Sequence, residues 1–478
     1  MQSLESQESQ FRGLKWVEGL WEPSPQWTFE PEPEAIKQTV QSLRPSSTVE
    51  VTFLAQGALN KVYNVSIDDE PFMMRVSLPV DPYYKVMSEV ATMDWVRRIT
   101  SLPIPRTITY QPSRDNLIEF EWILMTKLPG KRFSDLHQSL SFDVKARLIR
   151  EFAASSACLF RNQLRGIGNI YPELSVVENS TPSEEIPSPR AVDTKISVPA
   201  KEPASNDGSA RMRKNSGAPL LNMPNKGSSP EALPDVGRIV SMQFFWDSRI
   251  HQDIPRGPFR TSKEWITARL LCNENECHST LNKYSDGDLD SDAEDEVDFA
   301  TRALKIIDNL KCLLPLVFPT DDVDSEPSML VHNNLWGRNI LVDNSGELTG
   351  VLGWECVSAV PLWKACSYPQ LLEGRPRYSK PVPRNYKLED NGEPNELYFE
   401  HLWHYETTLL RDIFIDEMRV LDAGWVEVFE KSQVKRDFDY AVHHCDRLLD
   451  ARHIEAWIED MTTDISNARS LGDRIWSP

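Results

Sequence analysis

Between residues 48 and 76, three β-rich runs are separated by two short turns, and few folds accommodate that pattern. Thr48 to Leu54 and Lys61 to Ile67 read as strands, with Gln56-Gly57-Ala58-Leu59-Asn60 as the turn between them. Asp68-Asp69-Glu70-Pro71 makes a second turn, and Phe72 to Val76 a third strand. Turns this short join neighbouring antiparallel strands, so the segment is a meander. The period then changes. Over Tyr84 to Arg98 the apolar residues Val86, Val90, Met93 and Val96 recur three or four apart, which predicts a helix. Ile118 to Met125 is a further strand, and Lys127-Leu128-Pro129-Gly130 reads as a linker into a second, helical lobe. There Ser141 is placed to cap a helix reaching Leu164, striped by Val144, Leu148, Phe152 and Leu159. Phe299 to Leu314 and most of 395–470 are also helical in pattern. The expected class is α+β.

At 478 residues, with 40% hydrophobic content and 14 Trp, the chain can build real cores in two lobes with insertions. Its net charge of −20 argues against a nucleic-acid partner and against an anionic membrane surface. The first residues are polar and acidic, without a signal-peptide pattern, and no apolar run approaches the roughly 20 residues of a membrane helix. A cytoplasmic, soluble protein is expected. Seven scattered Cys argue against a disulfide framework, and Cys272-x4-Cys277-His278 has no second pair to complete a metal site. His401/His404 and His443/His444 read as surface or packing residues rather than ligands.

Composition divides the chain further. Residues 1–47, with Trp16, Trp21 and Trp27 among Pro and Glu, read as an extended arm, 48–128 as the β-rich lobe and 129–171 as the start of the helical lobe. Residues 172–235 hold 10 Pro and 10 Ser and no aromatic residue. Such a stretch cannot bury enough surface to offset its ordering entropy, so it is expected to be a disordered insertion. It carries a basic tetrad, Arg211-Met212-Arg213-Lys214, in the style of a short docking signal. Residues 236–478 resume the helical lobe. Asp286 to Asp298 holds eight acidic residues, but Ser291 and Val297 stand where a calcium loop needs Gly and Glu, so a solvated acidic loop is expected.

The chemistry concentrates in His332-Asn333-Asn334-Leu335-Trp336-Gly337-Arg338-Asn339, followed by Ile340-Leu341-Val342. The frame is that of a kinase catalytic loop, His-x-Asp-x-x-x-x-Asn, in which the Asp takes the substrate hydroxyl proton and the last Asn holds a metal ion. Here Asn334 occupies the Asp position, and an amide cannot take up that proton at neutral pH. Nineteen residues on, Leu352-Gly353-Trp354-Glu355 puts Gly353 where such enzymes carry a metal-binding Asp. Earlier, the small-residue turn at Gly57 suits backbone contact with phosphates. Arg75 stands on the third strand where kinases place a phosphate-gripping Lys, and Glu89 follows on the helix as its ion-pair partner.

Taken in order, with Glu121 to Gly130 as a hinge and Val351 to Cys366 as flank, these pieces resemble the aminoglycoside phosphotransferase and choline kinase-like family, above all its fungal group. The resemblance covers roughly 50–165 and 238–380. It implies a two-lobed, protein-kinase-like fold, with a small β-rich N-lobe, a larger, mostly helical C-lobe and a nucleotide between them. It assigns Gly57, Arg75, Glu89, Met125 and Lys127 to the nucleotide, ATP being the ligand implied. It assigns Asn339 to a metal and makes Gly353 the position of the lost metal Asp. Glu355, two residues on and on the same face of a strand, is a substitute ligand. With so few ligands left, Mg2+ is not expected to be held firmly. The resulting expectation is a catalytically impaired or inactive phosphotransferase-like protein that binds a nucleotide and a small molecule or protein. The alternative is an active ATP-dependent small-molecule O-phosphotransferase that relies on substrate positioning. No Ala-Pro-Glu follows Trp354-Glu355, which argues against a protein kinase.

Overall fold

An antiparallel sheet with two apolar faces must be covered on both, and that requirement organises the N-lobe. The computed structural model describes residues 10–19, 23–172, 233–285, 290–319, 324–465 and 467–476. They fall almost wholly in one compact unit drawn from 1–179 and 234–478. The stretch expected to be a disordered insertion, with its basic tetrad, lies outside the described residues except at its ends.

The arm is not simply extended. It forms a hairpin of β1 (Leu14–Val17) and β2 (Ser24–Trp27), then helix α1 (Pro33–Leu43) with Pro33 at its first position. The main sheet follows: β3 (Val49–Gln56), β4 (Asn60–Ile67), β5 (Glu70–Ser77), β6 (Thr107–Gln111) and β7 (Glu121–Thr126), in the order β3-β4-β5-β7-β6. Residues alternate across it. Met74, Val76, Trp122 and Leu124 bury one face against Ile36 and Val40 of α1. Burying such aliphatic side chains stabilises by roughly 1.5–3 kcal/mol each. Too few apolar residues, spaced i and i+4, mark α1 for it to stand out in the sequence. The opposite face, with Ile123 and Met125, meets helix α2 (Tyr84–Ile99) through Val86, Val90, Met93 and Val96. Strand β7 starts three residues later than expected. The Asn116 side chain accepts from the Ile118 N–H and donates to the Phe120 carbonyl, holding a turn in which Glu119 has φ 62°.

The C-lobe is mostly helical, and the molecule is α+β as expected. Helix α3 (Phe142–Arg161) begins where Ser141 accepts from the Val144 N–H at 3.4 Å. Helices α4 (Ser262–Lys283) and α5 (Ser291–Val317) pair, and α6 (Glu396–Leu421) packs along α3. The chain ends in α7 (Ala423–Lys431), α8 (Gln433–His444), α9 (Leu448–Thr463) and α10 (Leu471–Trp476). Asp439 on α8 binds both Arg269 and Lys364, tying three elements together. The acidic run corrects the sequence reading: residues 291–298 are helical. Asp290 accepts from the Ala293 N–H, and Asp292 and Glu294 lie in the first turn, where the helix dipole favours negative charge. Residues 286–289 lie outside the described set.

Four short strands position the site: β8 (Pro327–Val331), β9 (Ile340–Val342), β10 (Leu348–Val351) and β11 (Ser358–Pro361). β8 pairs with β11, and β9 pairs with β10 and with Lys131–Arg132. Gly130, just past the hinge, has φ 113°, and a Cβ there would meet the Val342 carbonyl oxygen at 2.9 Å. That glycine lets the hinge cross close to β9. Among the described residues no helix is long and apolar enough to cross a membrane.

Candidate functional site

Arg75 is the hub of the polar interior. It lies on β5, opposite Val62 of β4 and Ile123 of β7, and its side chain points away from the α1 face. The expected pair with Glu89 of α2 is present. A second carboxylate, Glu355, accepts from Arg75 Nη1 at 2.7 Å. Glu355 sits beyond β10 in the turn Gly353-Trp354-Glu355-Cys356, which has φ 80° at Gly353 and 58° at Cys356. The carboxylate expected to serve a metal thus bonds the arginine in this structure. Opposite charges brought into one low-dielectric spot attract strongly. Burial works against the Glu355 carboxylate, but Arg75 and Lys85 outweigh it and hold it below the usual carboxylate range.

Lys85 was not singled out in the sequence. It is 1% exposed, and its Nζ donates to Asn60 Oδ1 at 2.7 Å and to Ser77 Oγ at 3.1 Å. Burial, and next to it the Arg75 charge, push its ammonium below the usual lysine range. The signal was there: Lys85 and Glu89 are four apart on one helix face. Two more acids accompany them. Asp81 accepts from Arg238 at 2.6 Å. Glu121 accepts from the Tyr83 N–H at 2.7 Å, and burial pushes its carboxyl up to about 8.

The turn residues close on themselves. The Gly57 N–H donates to the Asn60 carbonyl at 2.8 Å, and Leu59, 2% exposed, packs with Leu78, Val80, Val240, Phe245 and Cys356. At the hinge, Met125 is buried, and Lys127 donates to Asn64 Oδ1 at 2.8 Å.

The catalytic-loop frame is bound by amides and carbonyls. His332 Nε2 faces the Leu352 carbonyl at 2.9 Å, and its Nδ1 faces the Asn334 N–H at 3.2 Å. These contacts assign the proton to Nε2. Burial pushes the ring down to about 4, so it is neutral at pH 7. Asn334 Oδ1 accepts from Arg338 at 3.4 Å. Asn339 Nδ2 donates to the Asn334 carbonyl at 2.7 Å, and a Cβ on Gly353 would lie 2.7 Å from that same Nδ2. The Asn339 amide therefore occupies the room a side chain at 353 would need.

A magnesium ion wants near-octahedral oxygen ligands, carboxylates among them. The sequence frame offers Asn339, whose Nδ2 donates to Asn334 while its Oδ1 stays an acceptor, the bare Gly353, and Glu355, which is bonded to Arg75. Among the described residues no group of three or more His, Cys, Asp or Glu side chains is placed to hold a metal. The set holds one carboxylate, already paired with Arg75, and one amide oxygen, fewer protein ligands than a dedicated cation cage carries. A cavity of about 320 Å3 lies beside Pro327, Pro361, Trp363, Ser432 and Lys435, and none of Gly57, Arg75, Glu89, Met125, Lys127, Asn334, Asn339, Gly353 and Glu355 lines it.

Comparison with known proteins agrees with the motifs. The family model described as the phosphotransferase enzyme family matches residues 50–163. A subtelomeric hrmA-associated cluster protein of Aspergillus fumigatus is 28% identical over 125 residues, which are 26% of this chain and 25% of that relative. The protein named altered inheritance of mitochondria protein 9 of Clavispora lusitaniae is 28% identical over 85 residues, 17% of this chain and 14% of its own length. The alignments thus span a quarter or less of these curated relatives. Among solved structures, aminoglycoside phosphotransferase APH(4)-Ia superposes with a TM-score of 0.39 at 12% identity, covering 88% of this chain and 99% of its own. A mutant of it, in ternary complex with AMP-PNP and hygromycin B, gives a TM-score of 0.37 at 13% identity, covering 87% and 99%. Over residues 50–163, then, the chain matches the model of the phosphotransferase enzyme family; that stretch holds Gly57, Arg75, Glu89, Met125 and Lys127, while the catalytic-loop frame and Gly353 lie outside it.

Proposed function

We propose that this chain binds a nucleotide on a phosphotransferase scaffold and is impaired in phosphoryl transfer. One contrast carries the reading. The charged side of the cleft is retained in Arg75, Glu89 and Lys85, while the positions that would take a proton and hold a metal are Asn334 and Gly353. Arg75 and Lys85 supply positive charge for phosphate groups, and the hinge around Met125 and Lys127 supplies main-chain contacts for a base. Lacking two carboxylates, the cleft also repels a polyphosphate less, so binding without magnesium is expected. A positioned general base contributes roughly 10²–10⁴ in rate, and an amide at 334 forfeits it.

The test measures binding and turnover together. ATP is titrated into the purified protein by calorimetry in EDTA, and ADP release is followed in magnesium for the natural protein and for N334D/G353D. Saturable binding in EDTA, with ADP release at least about 10²-fold faster in the double variant, supports the reading. Turnover by the natural protein on a defined acceptor at ordinary enzyme rates would sink it.

A further inference from the structure

We propose that Glu355 sets the affinity of this cleft for phosphate: in the empty protein its carboxylate occupies Arg75, and a phosphate group must displace it to bind there. The inference rests on the nucleotide reading above and adds a residue that discriminates between ligands with and without phosphates.

Three observations support it. First, Arg75 has two carboxylate partners of unequal standing. The Glu89 side chain is 1% exposed and that of Glu355 is 17% exposed, so Glu89 is the enclosed partner and Glu355 the one nearer solvent. Removing Glu355 therefore leaves Arg75 still paired. Second, Glu355 is carried on a turn rather than on a strand or helix, and Gly353 opens that turn with φ 80°. Its neighbours Trp354 and Cys356 are buried, so the turn itself is anchored and Glu355 releases Arg75 by rotation of its own side chain. Third, the contact spans the two halves of the molecule: Arg75 lies on β5 of the main sheet, while Glu355 follows β10 beside the catalytic-loop frame.

The chemistry of the exchange is simple. A carboxylate and a phosphate oxygen compete for the same guanidinium fork. They also repel each other at short range, so both cannot sit comfortably on Nη1. A ligand that needs Arg75 sees its affinity reduced by the fraction of molecules in which Glu355 has let go. A ligand that makes no use of Arg75 is unaffected. Glu355 thus favours nucleosides over nucleotides, and losing its charge reverses the preference.

The experiment titrates ATP and adenosine, both in EDTA, into the natural protein, E355Q, E355A and R75M/E355A, with a thermal melt to confirm folding. The expected result is a gain in ATP affinity on the order of tenfold in E355A, a smaller gain in E355Q, and no change for adenosine. The gain disappears in R75M/E355A. Parallel changes for ATP and adenosine would mean that the cleft has merely loosened, and would overturn the proposal. So would an unchanged ATP affinity, which leaves the nucleotide reading standing. Weaker ATP binding in E355A also overturns it and makes Glu355 a residue that holds Arg75 in position for the ligand. If neither ligand binds any of the four proteins, the nucleotide reading fails and this proposal falls with it.

Discussion

The N-lobe and C-lobe parts of the motif region are built from different chemistry. On the N-lobe side, Arg75, Glu89 and Lys85 are charged, buried and hydrogen-bonded or paired. On the C-lobe side, the catalytic-loop frame ties His332, Asn334 and Asn339 together mainly through amide and carbonyl bonds, and its charged groups are Arg338 and, beyond Gly353, Glu355, which reaches across to Arg75. Charges gripping a phosphate and carboxylates moving a proton are separable functions, because the first needs only fixed potential and the second needs a basic site. Desolvating charges is costly, so a buried cluster persists only where its members compensate one another. The N-lobe cluster is of that kind. Glu355 apart, the residues of the C-lobe frame that stand at the proton and metal positions carry no such cost, and they can be amides while the backbone keeps its course.

The strongest way to break this comparison is to remove the hub. Arg75→Met leaves Glu89 and Glu355 without their common partner in a buried setting. Orphaning a buried charge costs about 3–5 kcal/mol. Chemical denaturation should show a loss of that size. Asn334→Ala, in the C-lobe frame, should cost no more than about 1 kcal/mol, because a partly exposed amide loses one long hydrogen bond. Equal losses would erase the distinction between a charged side and a neutral one.

The two sides should also respond to pH in opposite directions. His332 has a folded pKa of about 4, below its ordinary 6.5. The unfolded chain therefore takes up that proton first as pH falls, and stability is lost between pH 6.5 and 4, by up to about 3 kcal/mol. His443 and His444, pushed down by burial to about 3 and about 4, act in the same direction within the helical lobe. Glu121 has the opposite sign. Its folded value of about 8 lies above the ordinary 4.5, so it weakens the fold as pH rises through that interval. His332→Gln should flatten the acid limb of the stability profile, and Glu121→Gln should flatten the alkaline limb. Melting curves from pH 4 to 9 check both. The two windows overlap between pH 4.5 and 6.5, so the variants are told apart by the sign of the slope they remove, and slopes of the same sign would mean that the sides are not electrostatically distinct.

Part of this was legible in the sequence. Strand and helix periods located β3 to β5, α2 and α3, because each buries one face and the code for one buried face is local. Ser141 announced its own cap. The Arg75–Glu89 pair could be read because the motif order fixed which strand and helix meet. Two things were hidden. Helix α1 was concealed because Pro33, Ile36 and Val40 are too sparse a pattern until the outer sheet face needs a cover. The Arg75–Glu355 contact joins residues 280 positions apart, and no local period records it. Lys85 lies between these cases: its spacing from Glu89 was visible, but its burial beneath Asn60 and Ser77 is a property of the assembled sheet.

The smallest effect tests whether the neutral side has settled around its missing side chain. Gly353→Ala adds only a Cβ, at φ 80° and 2.7 Å from Asn339 Nδ2. Two costs should add. The backbone cost of a non-glycine residue in this region is on the order of 1 kcal/mol. The steric cost depends on the far end of the Asn339 side chain, which must shift and loosen its bond to the Asn334 carbonyl. A double-mutant cycle with Asn339→Ala separates the two, because that change removes the steric neighbour and leaves the backbone alone. Gly353→Ala should then cost about 1 kcal/mol less in the Asn339→Ala background than in the natural protein. An identical cost in both backgrounds would mean that Asn339 does not depend on the space beside Gly353. Its amide would then have turned to Asn334 for reasons of its own, and restoring a carboxylate at 353 would meet no competition from it.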